Sequence, residues 1–147
     1  MPEKATVERA RKDKREGKAP STQAGEFVKE EIHHIREGKH GARSAKQAIA
    51  IGLAKARRAG VKLPPPPASA GPEARRSAES ANRAAALHAK PSKTRSRASS
   101  RRLKKEGHAA ASHLALSRHA TSAAKKRPAS ARKAAARKAA RTRQAHS

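Results

Sequence analysis

Apolar positions recur at helical spacing in two stretches of the chain. In the first, Ala24, Val28, Ile32 and Ile35 are separated by four, four and three residues, one stripe of a 3.6-residue helix. The spacing predicts a helix over 21–37, with Ser21 or Thr22 at its start and Gly38 as its stop. Phe27 falls off the centre of that stripe. In the second, Ser44-Ala45-Lys46-Gln47 reads as a capping box opening a helix over 44–60. Its apolar face is Ala45, Ile49, Gly52, Leu53 and Ala56. Arg57 and Arg58 suit the last turn, and Gly60 supplies a left-handed cap before Val61. The segment 38–43 fits a turn, so the two helices form a hairpin. Pro64 to Pro67 blocks continuation and predicts a stiff polyproline spacer.

Ile51 does not fit a simple hairpin, because it lies roughly opposite Ile49 on the helical wheel. A lone exposed Ile satisfies the pattern. So does a helix that packs on two sides, against Val28, Ile32 and Ile35 and against another surface. Ile51 and Gly52 are then the candidate interaction face, with self-association as a homo-oligomer through the 44–60 helix. Residues 2–18 are highly charged. Thr6 is a candidate cap and Glu8–Lys12 an i,i+4 pair, with Gly17 as the stop. With only Val7 and Ala10 apolar, the segment reads as a solvated helix or a frayed arm.

Beyond residue 63 the pattern loses its large apolar residues. Residues 64–147 hold 25 Ala, 12 Ser and 21 Lys and Arg, against three acids and four Leu. Such a segment cannot bury enough apolar surface to offset the entropy of ordering it. Alanine-rich stretches at 81–90, 108–126 and 129–144 have high helix propensity, separated by Pro91 and Pro128. Like-charge repulsion should fray them until a polyanion removes it. The expected fold class is mostly α plus disorder: a short helical hairpin followed by a long basic, Ala-rich tail with marginal helices. The expected divisions are a charged arm (1–20), the hairpin module (21–63), a Pro-rich linker (64–80) and a disordered basic tail (81–147).

Charge follows the same division. The net charge is +26, of which residues 1–63 contribute +8 and residues 64–147 contribute +18. A dense positive charge seeks polyanions, and nucleic acid is the commonest in a cell. The candidate phosphate-contacting residues are Arg101, Arg102, Lys104, Lys105, Lys125, Lys126, Arg127, Arg132, Lys133, Arg137, Lys138, Arg141 and Arg143. Arg-Lys pairs recur after five residues, a rotation of about 140° on a helix, so the cations spread around the circumference. An amphipathic membrane helix would segregate them. No stacking aromatic is available for single-strand recognition, and no spacing predicts base reading.

The remaining chemistry is sparse. There is no cysteine, which removes disulfides, thiolate metal sites and cysteine nucleophiles. The eight histidines include the adjacent pair His33-His34 and the trio His108, His113 and His119, spaced by five and six. None shows the i,i+4 spacing of a helical metal pair, so surface histidines and no metal or cofactor are expected. Glu26, Glu30, Glu31 and Glu37 read as a charged helix face paired with Lys29 and Arg36. No catalytic constellation is present, and no enzyme is expected. The longest apolar run, 48–54, is far short of the roughly 20 residues that span a bilayer, and Met1-Pro2-Glu3-Lys4 lacks a signal-peptide core. No membrane association is expected, and the expected location is cytoplasmic.

From Lys46 to Gly60 the chain reads KQAIAIGLAKARRAG, preceded by Glu37-Gly38-Lys39-His40. In these motifs residues 21–63 resemble an uncharacterised family of small basic bacterial proteins with a "KQAIAIGL…ARRAG" signature. The resemblance implies a bacterial source and a small helical module, without an activity. The tail is similar in composition to the Ala/Lys-rich tails of bacterial histone H1-like proteins, which implies a nucleoid location. The reading that unites these features is non-enzymatic, sequence-nonspecific DNA binding of histone-like type. Two alternatives stand beside it: an RNA- or ribosome-associated basic protein, and a protein-interaction adaptor built on residues 21–63.

Overall fold

The computed structural model of the chain describes residues 2–146, which contain seven α-helices and divide into two units, 2–112 and 113–146. The first unit holds α1 (Lys4–Arg15), α2 (Pro20–Arg36), α3 (Ala45–Arg58), α4 (Pro72–Ala86) and α5 (Lys93–Lys104). The second holds α6 (His113–Lys125) and α7 (Ala129–Ala145).

Within the first unit, α2 packs between α1 and α3, and α3 packs between α2 and α4. A helix with two neighbours needs two buried faces, which explains Phe27. It is 1% exposed and clusters with Ala10, Ala24, Ala56 and Val61, flanked by Val7, Leu53 and Leu63. The stripe read from the sequence is therefore only part of what α2 buries. Ala24, Ile32 and Ile35 are buried as that stripe requires, while Val28 is half-buried beneath α3. There Gly52 lets the backbones approach: a Cβ at Gly52 would sit 2.6 Å from Val28 Cα. Helix α3 packs on its other side against α4, whose buried residues are Ala78 and Ala81. Ile51 itself is half-buried.

Local signals account for the helix ends. Ser44 Oγ accepts from Gln47 N at 3.1 Å, and Gln47 Oε1 accepts from Arg43 N, one residue before the N-cap, at 2.7 Å. At the C-terminus of α3, Gly60 takes φ +96° while its N–H reaches Arg57 O and the Val61 N–H reaches Ala56 O. This is the Schellman arrangement, and Val61 and Ala56 share the core cluster beneath it. The starts of α1 and α2 differ from expectation. Thr6 lies inside α1, fully buried, with its hydroxyl accepting from Arg9 Nη2. Helix α2 begins with Pro20 at its first position, where the missing amide costs nothing, and it has no side-chain cap because its N-cap residue, Ala19, carries no acceptor.

The expectation of a long disordered tail is overturned. From Pro72 to Ala145 the chain carries four α-helices. The expectation set the entropy of ordering against burial and let like-charge repulsion fray the helices, whereas the high helix propensity of Ala, Arg and Lys favours helix without a large buried face. Helix α5 illustrates the local support: Ser92 caps it by accepting from Arg95 N, and Arg101, Arg102 and Lys104 occupy its last turn, where the helix dipole favours cations. Part of the basic segment also folds back onto the core. Gly41 N donates to Leu103 O at 2.8 Å, Ala42 N to Gly107 O at 3.0 Å, and Arg36 Nε to Ala111 O at 2.8 Å. Ala110 and Ala111 are buried, and Gly41 has no room for a side chain, since a Cβ would lie 2.0 Å from Glu106 O. Among the described residues, no helix is long and apolar enough to cross a membrane.

Candidate nucleic-acid interface

The cationic residues singled out in the sequence stand on helices that bury nothing. Arg101, Arg102 and Lys104 lie on α5, with Lys105 as its C-cap. Lys125 ends α6, Lys126 and Arg127 form the turn, and Arg132, Lys133, Arg137, Lys138, Arg141 and Arg143 lie along α7. All are exposed, and α5, α6 and α7 contain no buried residue. Seventeen residues of α7 make a rod about 25 Å long. Among the described residues, every ion pair lies between Glu3 and Lys55. From residue 93 onward, 17 Lys and Arg accompany one acid, Glu106. These cations therefore have no side-chain carboxylate to neutralise them.

Two helix faces show a pattern that sequence reasoning missed. Ser96, Arg97, Ser100, Arg101 and Lys104 line a shallow groove along α5. Ser117, Arg118, Thr121, Ser122 and Lys125, with Lys126, do the same on α6. Both faces read Ser-Arg-x-x-(Ser/Thr)-x-x-x-Lys. The i, i+1, i+4, i+5, i+8 spacing puts hydroxyls and cations on one side of a helix, all able to donate to phosphate oxygens. Composition shows these serines only as a mixture with cations; the signal that finds them is the repeat.

The other polar concentration is buried and lies in the first unit. Glu30 and Glu31 were expected on a charged helix face, paired with Lys29 and Arg36, but their side chains are 3% and 1% exposed. Glu30 Oε1 accepts from the Glu3 backbone amide at 2.9 Å. Glu31 Oε1 pairs with Lys55 Nζ of α3, and Glu31 Oε2 lies 3.2 Å from His40 Nε2. His34 Nε2 lies 3.0 Å from Glu3 Oε1 and 3.7 Å from Glu30 Oε1. His34 and His40, expected on the surface, are thus mostly enclosed. Folding of the 37–44 loop over α2 creates this burial, which helix periodicity alone does not show. The hydrogen bond to His34 is the main cause that holds the Glu3 carboxyl below its usual range, while Lys39 beside Glu37 is pushed up. Burial pushes the Arg57 guanidinium down; its Nη2 donates to Pro64 O at 2.7 Å, fixing the exit from α3.

Residues 4–66 match the model of a family described as "Family of unknown function (DUF6496)". The matched span covers α1, α2 and α3 and stops inside the proline run, before the basic helices. An uncharacterised family is what the 46–60 motif implied, at this coarse level. No curated protein and no solved structure matches the chain.

Proposed function

We propose that the protein is a non-enzymatic, sequence-nonspecific nucleic-acid-binding protein that acts by neutralising phosphates, with duplex DNA ahead of RNA as its target. The observation that carries this reading is the presentation of 17 cations beside one acid on helices with no buried face. A helix that buries nothing is not there to build a core. On the DNA side, phosphates hold condensed counterions until such cations replace them, and release of those ions drives binding. Helical order improves on a flexible tail, because the charges are already spaced and less entropy is lost on binding. The Ser-Arg faces of α5 and α6 add hydroxyl donors that position phosphates without reading bases.

The reading is tested by replacing the six cations of α7, Arg132, Lys133, Arg137, Lys138, Arg141 and Arg143, with Gln. All six are exposed, so the fold should persist. Affinity for a random-sequence duplex should fall steeply, and its salt slope should flatten by up to about five, at roughly 0.9 for each phosphate no longer neutralised. An unchanged slope would contradict the proposal. Competition between duplex DNA and structured RNA in the same assay ranks the two targets; RNA winning would move the protein to the RNA-associated class.

A further inference from the structure

We propose that Glu31, His34 and His40 form a binding site for a divalent transition-metal ion of the zinc type. Each offers a donor atom within 4.8 Å of the others. His40 Nδ1 lies 2.9 Å from the Gly41 carbonyl, which can only accept, so Nδ1 carries a proton. In the neutral ring Nε2 then presents a lone pair, and it does so 3.2 Å from Glu31 Oε2, itself an acceptor. Two lone pairs at that distance repel unless a cation, a proton or a metal ion, is shared between them. The contact is not aligned as a hydrogen bond, and Glu31 Oε2 is left buried without a hydrogen-bond partner. A metal ion need not lie on the line between its ligands. In a tetrahedral site with bonds of about 2.0–2.1 Å, neighbouring donors stand about 3.3 Å apart, close to the 3.2 Å between His40 Nε2 and Glu31 Oε2.

The surroundings fit the same occupant. Glu3 and Glu30 sit beside His34 Nε2 and fix its ring, as carboxylates behind a ligating histidine do. Lys55 neutralises Glu31 Oε1 and leaves Oε2 for the ion. Glu30 Oε2 is also buried and unpartnered. Two buried carboxylates thus face one ammonium, a charge deficit that a cation relieves. Two imidazoles with one carboxylate favour zinc, cobalt or nickel over magnesium or calcium, which prefer all-oxygen sites. Bound metal would tie the 37–44 loop to α2 and so steady Gly41 and Ala42, which hold the 103–107 segment.

The test uses the full chain, free of nucleic acid, titrated with zinc chloride. One equivalent should bind, and the imidazole NMR signals of His34 and His40 should shift while those of His113 and His119 stay in place. Affinity should fall about tenfold or more in His40→Gln and in Glu31→Gln, and should survive the triple variant His108→Gln, His113→Gln, His119→Gln. Absence of binding, or shifts confined to other histidines of the wild-type chain, would overturn the site whether or not the variants fold. Because no polyanion is present, the result is independent of the nucleic-acid reading.

Discussion

Gly52 sets how near α3 can come to α2. A methyl group there meets Val28 Cα at 2.6 Å, and that neighbour is backbone, so the helices must separate. Gly52→Ala gains about 1 kcal/mol of helix propensity but disturbs packing across the interface. Overpacking costs of about 1–3 kcal/mol should win, and urea denaturation should show a lower midpoint. A raised midpoint would mean that the helices separate without cost. The sequence placed Gly52 with Ile51 on a candidate interaction face, whereas the structure sets it against the Val28 backbone of α2. The meeting of Glu31 and His40 was not legible. It depends on the loop folding over the helix, and intrahelical spacing offered each glutamate an adequate partner in Lys29 or Arg36. Phe27 lies off the stripe for a related reason: a single stripe serves one neighbour, and α2 has two.

The helix ends follow the sequence more closely than the helix interiors do. Gly17, Gly38 and Gly60 all stand at positive φ just past α1, α2 and α3, as the sequence required. Helix α4 ends in the same way but with His88, at φ +48°, where Ala89 N reaches Ala84 O. That conformation costs a residue with a side chain about 1–2 kcal/mol. His88→Gly should therefore stabilise the first unit by about 0.5–1 kcal/mol, after the entropy that glycine returns to the unfolded chain. The check is thermal unfolding followed by circular dichroism; a lower melting temperature would show that the His88 side chain contributes something the backbone does not. Helix α5 escapes a search for apolar periodicity because its Ser and Arg residues carry none. Its cap at Ser92 and its basic last turn were the available signs.

At the scale of the whole molecule, charge is distributed against burial. Eight of the eleven acids lie between Glu3 and Glu37, in α1, α2 and the residues flanking them, where Arg9 meets Glu26 at 2.7 Å and Lys18 meets Asp13 at 2.8 Å. The cations beyond residue 92 stand on exposed helices with one acid among them. Composition revealed that asymmetry but led to the wrong physical state, since it set the entropy of ordering against burial and gave like-charge repulsion more weight than helix propensity. Their order changes what binding should look like. A folded cationic surface gains little helix when it meets DNA, so the far-UV circular dichroism of free and DNA-bound protein should nearly coincide. A large gain in helix would restore the disordered tail.

The most direct measurement is the affinity of the full chain for a random-sequence DNA duplex across a salt series. The account predicts a linear fall of log affinity with log salt, with a slope of about −5 or steeper, as expected when six or more phosphates are neutralised. Weak binding at low salt, or a slope near zero, would contradict it.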